Sequence, residues 1–293
     1  MLKTIPSWFK LLLKTAVTAC CLWYVGKKIN WVASLQLIQH SNLAWLALAT
    51  LLFAASKIIS SVRLNIYFKN INVYLPQATN LRLYWLGMFY NLFLPGGIGG
   101  DAYKVILLNK TCGYPAKQLT AAVLLDRLTG VIALGLLAAV YFAALSPQGL
   151  ALLLLAAIVP ALIICRYFVK KVFPSFIASF WPTLWLGIAV QGLQVMSVYA
   201  IMQAIGISGQ QTAYIFIFLL SSIVAILPLT IGGLGAREVV FLWGSKVLLH
   251  NPGNATPVSI SISFYLITLL VSLAGVYYVF SNPLKKNPAA AAL

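Results

Sequence analysis

The sequence predicts an all-α polytopic membrane protein with about six full transmembrane helices plus two re-entrant broken-helix hairpins in an inverted-repeat arrangement. Three observations lead there. Of its residues, 62% are hydrophobic and only 8% charged, at a mean hydropathy of +0.96, whereas a soluble domain carries about 25% charged residues. Several stretches approach the roughly 20 apolar residues that carry a helix across the hydrocarbon core. Two further apolar runs are short, and each ends in a cluster of glycine and proline. Strand-like alternation is absent, which disfavours a β-barrel.

Taken in order, the first span covers 9–26. Its "VTAC" (17–20) has the look of a lipoprotein cleavage box, but Lys14 interrupts the apolar run ahead of it, so a plain span is expected. "KINWVASLQLIQH" (28–40) is rich in residues that favour the membrane interface, as is "NIYFKNINVYLP" (65–76) beyond the second span, 43–62. The run 81–94 ends in "LPGGIGGDAYK" (94–104), after which a second short helical run begins. Full spans follow at 118–144, 149–168 and 180–205. The run 213–227 ends in "LPLTIGGLGAR" (227–237), again with a short helical run after it, and the last span covers 256–280. Residues 1–286 read as a single integral membrane domain, with pseudo-repeats about 43–144 and 180–280, and 287–293 as a disordered tail.

The net charge of +17 suggests nucleic acid only until the cations are placed. With the N-terminus inside and each broken segment leaving on the side it entered, Lys3, Lys10, Arg63, Lys69, Arg82, Lys110, Lys117, Arg166, Lys170, Lys171, Lys285 and Lys286 face the cytoplasm. Only Lys27 and Lys28 face out, and the loops 146–150, 207–211 and 250–257 carry no Lys or Arg. This bias predicts both termini in the cytoplasm, and the cell inner membrane is the expected location. Asn254-Ala255-Thr256 is a glycosylation sequon on the expected outer side. Cys20, Cys21, Cys112 and Cys165 show no metal spacing and read as inert thiols. Neither a metal nor a cofactor is expected.

The two broken segments share Leu-Pro-x-x-Ile-Gly-Gly and a cation nine residues after the proline, Lys104 in one and Arg237 in the other. Three full spans lie between them, so the first hairpin enters from the cytoplasm and the second from outside. Short glycine- and proline-interrupted segments in corresponding positions point to a transporter binding site at mid-membrane. Tight helix packing through small residues is the alternative use of such glycines.

The chain has three acidic residues, Asp101, Asp126 and Glu238. The first and last follow the glycine clusters, and Asp126 lies within a span, where a charge costs roughly 2.5–3.5 kcal/mol on insertion scales. Neighbours in sequence point about 100° apart on a helix, so Asp126-Arg127 and Arg237-Glu238 need partners elsewhere. The expected arrangement pairs Asp126 with Arg237 and Glu238 with Arg127, while Asp101 and Lys104 pair on one helix. A structural ion-pair network without a transport role is the competing reading, and Asp101 also suits a helix N-terminus. Backbone N–H groups freed at the breaks, together with Arg127, Arg237 and Lys104, make a site for an anionic group such as a lipid phosphate.

With "NLFLPGGIGGDAYK" (91–104), "DRLTG" (126–130) and "IGGLGARE" (231–238) in view, the chain resembles the lysylphosphatidylglycerol synthase transmembrane-region family. That resemblance covers nearly the whole chain and implies a polytopic fold with re-entrant helices that moves lipids or lipid-linked compounds between leaflets. It also implies site residues Asn91, Pro95, Gly99, Gly100, Asp101, Asp126, Arg127, Gly232, Gly233, Gly235, Arg237 and Glu238. Lys104 stands where the family commonly has arginine, and lysine cannot grip a phosphate bidentately. No synthase domain is expected on this chain, so the aminoacylated lipid of some members does not carry over.

The leading expectation is a lipid flippase for a phosphate-bearing headgroup, its partners being membrane lipids or a lipid-linked substrate and a separate lipid-modifying enzyme. Nucleic acid is not expected. No GxxxxGK[ST] motif is present. An embedded enzyme is disfavoured, because His40 and His250 fall in outer loops away from the acids. An accessory or scaffold subunit and a small-solute transporter stay as alternatives.

Overall fold

The computed structural model describes residues 23, 36, 38–93, 98–226, 235–249, 255–281 and 283–284. Among these, every regular element is helical. The helices are α1 (Leu43–Lys69), α2 (Gln77–Phe93), α3 (Gly99–Cys112), α4 (Ala116–Leu145), α5 (Gln148–Val172), α6 (Phe180–Ala204, after a 3₁₀ turn at Pro174–Ser179), α7 (Gln211–Ile226), α8 (Ala236–Leu248) and α9 (Ala255–Leu273). A 3₁₀ turn, Ala274–Val276, carries α9 into the short α10 (Tyr277–Phe280).

Among the described residues, five helices are long and apolar enough to cross a membrane: Leu43–Lys69, Ala116–Leu145, Gln148–Val172, Pro174–Ala204 and Ala255–Phe280. They correspond to five of the six expected spans. The expected first span (9–26), Lys27 and Lys28, the breaks at 94–97 and 227–234, Asn254 and the tail lie outside the described residues.

α2 and α3 have 17 and 14 residues, and α7 and α8 have 16 and 13. At 1.5 Å per residue each is about 20–26 Å long, short of the roughly 30 Å hydrocarbon core. Each pair folds back on itself. Tyr84 and Gly87 on α2 meet Lys104 and Gly100 on α3, and Ile217 on α7 meets Gly244 on α8. The order of lengths recurs along the chain: a long helix, a short pair and a long helix, then α5, then the same again.

Two apolar clusters hold the bundle together. One gathers Leu64, Tyr67 and Phe68 at the end of α1, Leu83 of α2, Leu108 of α3, Leu119 to Leu125 of α4, and Phe180 and Leu184 of α6. The other gathers Ala49 and Phe53 of α1, Leu134 and Ala138 of α4, Val195 to Met202 of α6, residues 213–219 of α7, and Phe264 of α9. Between them, the same long helices turn polar: Ser56 to Arg63 on α1, Asp126 to Gly130 on α4, Gln191 and Gln194 on α6. The pair α2–α3 joins the first cluster and the pair α7–α8 the second. The most extensive helix contact is that of α1 with α6, where the Ser197 hydroxyl donates to the Ala49 carbonyl at 2.8 Å. α5 lies outermost, packed on α4 and the turn before α6, with no residue of its most apolar stretch buried.

Two expectations at the end of α1 are corrected. The span does not stop at residue 62, because the helix continues to Lys69. Arg63 is therefore a buried helical residue, 4% exposed, and not a cytoplasmic loop cation. The segment 65–76 is also no simple interfacial anchor. Tyr67, Phe68, Val73 and Leu75 are buried in the first cluster, and the Asn65 amide donates to the Leu75 carbonyl at 3.1 Å.

Candidate functional site

Apart from Lys57, whose Nζ lies 4.5 Å from the Phe53 ring centroid, the charged residues of the belt fall into three sets. The first is built by the α2–α3 hairpin. Its helices approach so closely that a Cβ on Gly100 would collide with the Gly87 carbonyl, so only glycine fits there. The Gly100 N–H donates to Asn91 Oδ1 at 2.9 Å, satisfying an orphan donor in the first turn of α3. That places Asp101 in the same turn, where a carboxylate suits the helix dipole. Its Oδ1 accepts from Lys104 Nζ at 2.9 Å, and its Oδ2 accepts from Arg127 Nε. Lys104 is buried, with Nζ 4.5 Å from the Tyr84 ring centroid. The expected Asp101–Lys104 pair is present, and Arg127 of α4 joins it.

The second set ties α1 to α4. Arg63 Nε donates to Asp126 Oδ1 at 2.7 Å, both residues being buried. One turn further along each helix, the Tyr67 hydroxyl sits 2.5 Å from Thr129 Oγ1 and donates to Thr183 Oγ1 on α6 at 2.8 Å. The third set lies at the start of α8. Gly235 has φ of 81°, a conformation that favours glycine, and its N–H donates to Glu238 Oε2 at 2.8 Å. Glu238 Oε1 accepts from the Ser261 hydroxyl on α9 at 3.0 Å. Arg237 stacks on Phe264 and Phe218, at 5.0 and 5.7 Å from their centroids.

The expected cross-pairs are therefore overturned: Asp126 meets Arg63 rather than Arg237, and Arg127 meets Asp101 rather than Glu238. Glu238 ties the start of α8 to α9, and Arg237 rests on aromatic rings. The physical reason lies in the extended α1. It carries an arginine to the level of Asp126, and a guanidinium delivered by a neighbouring span is a closer counter-ion than one on the second hairpin. Of the expected site residues, Asn91, Gly99, Gly100, Asp101, Lys104 and Arg127 come together. Asp126, Gly235, Arg237 and Glu238 belong to the other two sets, and Pro95, Gly232 and Gly233 lie outside the described residues. Arg63, Lys57, Tyr84 and Ser261 were missed. Lys57 and Arg63 had a signal, two cations within one apolar run, and a mid-span aspartate calls for such a partner.

Beside the first set lies a cavity of about 370 Å³ between α3 and α4. Ile98, Ala102, Val105, Ile106, Val123 and Leu124 line it with Thr120, while Asp101 and Arg127 stand at one end. Ile106 and Leu124 are 52% and 46% exposed, so the cavity opens sideways. An apolar groove that ends in a guanidinium is complementary to an acyl chain joined to an anionic headgroup. Among the described residues, no cluster of histidine, cysteine or acid could hold a metal ion.

Long apolar helices around a charged belt define a multi-pass integral membrane protein. The chain belongs to the family described as the lysylphosphatidylglycerol synthase TM region, whose model matches residues 11–275. It is also similar to a UPF0104 membrane protein of Pyrococcus horikoshii, 28% identical over 113 residues, or 38% of this chain. The match spans 32% of that relative's length.

Proposed function

We propose that the protein moves a lipid, or a lipid-linked compound with an anionic phosphate headgroup, between the leaflets of the cell inner membrane. Both termini are cytoplasmic in this reading, and the α2–α3 and α7–α8 pairs are re-entrant hairpins inserted from opposite faces. The observation that carries it is the sideways-open apolar groove ending at Asp101 and Arg127. An acyl chain lies along α3 and α4 while its phosphate meets Arg127 and the first turn of α3. Supporting it are the lengths of the two short pairs, each helix shorter than the hydrocarbon core, and their attachment to different apolar clusters. The family name is consistent with lipid work. The protein acts as a carrier and not an enzyme, and any lipid chemistry falls to a separate partner.

One observation favours a second reading. Both Lys104 and Arg127 are already paired with Asp101, so the triad also fits a staple that fixes the hairpin to α4 in a scaffold protein. Lipid identification separates the two. Purified wild type is expected to carry an anionic lipid enriched over bulk membrane, and Arg127→Ala to lose it at matched folding. Proteoliposomes of the variant should then flip a labelled anionic lipid at least about tenfold more slowly, the cost of one charge-assisted contact. Equal flipping by folded wild type and variant would leave the scaffold reading standing.

A further inference from the structure

We infer that Lys104 is a resident counter-ion for Asp101, which lets Arg127 leave that pair and take a lipid headgroup carrying a single negative charge. The inference rests on the proposed lipid transport. Lys104 is then a positioning residue, acting on the lipid through Asp101 and Arg127. It begins with the charges at the first hairpin. Asp101 accepts from Lys104 at one oxygen and from Arg127 at the other, so two cations meet one carboxylate. Of the three acids in the chain, the other two are engaged elsewhere: Asp126 with Arg63, and Glu238 with the Gly235 N–H and Ser261. The triad therefore keeps an excess of one positive charge.

The two cations are not equivalent. The Lys104 side chain is 4% exposed and that of Arg127 27%. Lys104 is boxed in by α2: a Cβ on Gly87 would lie 2.1 Å from its Cε, and its Nζ sits over the Tyr84 ring. It does not line the apolar groove, whereas Arg127 and Asp101 do. Lys104 thus cannot turn to a ligand without opening the α2–α3 contact, and its place three residues from Asp101 on one helix keeps their pair local. Arg127 comes from α4, at the wall of the groove, with a planar fork that matches a phosphate.

This division of roles makes an exchange possible. A buried carboxylate stripped of its counter-ion is strongly penalised, and a lone Asp101–Arg127 pair would resist any ligand for that reason. With Lys104 in place, Asp101 stays compensated while Arg127 exchanges it for a phosphate, one negative charge for another. The balance also names the headgroup. A phosphodiester with no further charge neutralises the triad, a zwitterion leaves the excess standing, and a dianion overshoots it by one. The substrate class is a lipid with a net charge of minus one, its acyl chain along the sideways-open groove and its phosphate on Arg127.

The test uses the full-length protein in detergent with phosphatidylglycerol, phosphatidylcholine or inorganic phosphate added. Native mass spectrometry should show wild type retaining phosphatidylglycerol about tenfold better than zwitterionic phosphatidylcholine, the worth of one charge-assisted contact. Lys104→Met, with Lys104→Gln as a second replacement, leaves Arg127 as the counter-ion of Asp101 and should abolish that preference at matched folding. D101N/K104M has one cation and no carboxylate, so it should regain the preference. A merely structural Lys104 would not give that recovery, because the double variant lacks both members of the pair. A Lys104→Met that keeps the wild-type preference, or a double variant no better than the single, overturns the inference. A Tm gain from inorganic phosphate equal to that from phosphatidylglycerol overturns the lipid as the occupant. The two ideas fail on different results. Arg127→Ala keeping the preference removes the groove reading itself, whereas its loss in Arg127→Ala and persistence in Lys104→Met removes only the role of Lys104.

Discussion

Asp126 and Arg63 illustrate what a single buried charge does in this protein. Breaking a buried pair from one side leaves the other charge uncompensated and costs about 3–5 kcal/mol, whereas replacing both partners with apolar residues is close to neutral. Asp126→Asn is thus expected to lower stability by about 3 kcal/mol, and R63M/D126L to regain most of it, in a double-mutant cycle followed by unfolding in detergent. An Asp126→Asn variant as stable as wild type would mean the pair contributes nothing. At this scale the sequence was only partly legible. The acids stood out because they are three in an apolar chain, and the Asp101–Lys104 pair because residues three apart on a helix are neighbours. The partners across helices did not, since spacing along one helix says nothing of which face its neighbour turns toward it. Arg63 was lost to a hydropathy boundary that ended the span at residue 62, seven residues short of the helix end at Lys69.

At the scale of elements, the α2–α3 hairpin depends on a backbone contact that side chains would block. Gly100→Ala would drive a methyl into the Gly87 carbonyl, and overpacking of this kind costs about 1–3 kcal/mol. Asn91→Ala removes the acceptor for the Gly100 N–H, a loss of about 1 kcal/mol. Thermal unfolding should rank the two in that order, both below wild type; an unaffected Gly100→Ala would mean the helices do not approach this closely. The long helices were legible from hydropathy and length, and the short ones from where glycine and proline interrupt them. What the pattern could not show is how α1 runs on through "LNIYFK", because a buried arginine and a loop arginine look the same in a one-dimensional scan.

For the whole molecule, the proposed topology makes a direct expectation. In a background where the four cysteines are serine, Gln148→Cys should react with a membrane-impermeant maleimide only from outside, and Lys110→Cys only from inside. Ile98→Cys, at the tip of the first hairpin, should be shielded from both faces. Labelling of Ile98→Cys from outside would turn α2 and α3 into crossing helices and end the re-entrant reading. The polytopic class followed from composition and the lengths of the apolar runs, but the division into two main apolar clusters with a polar belt between them emerges only when the helices are assembled. The first hairpin also has a mechanical consequence. It is clamped along its length by the Gly87–Gly100 contact and the paired Tyr90 and Tyr103 rings, while its far ends attach through the connector at 70–76 and the turn at Gly113, where φ is 73°. It is a stiff lever about 25 Å long with its pivots at one end, and a swing of about 10° there would carry the tip roughly 4 Å. Asp101 rides near that tip, so in the proposed re-entrant topology a small rotation at the membrane surface would be felt in the bilayer's middle as the making or breaking of its grip on Arg127.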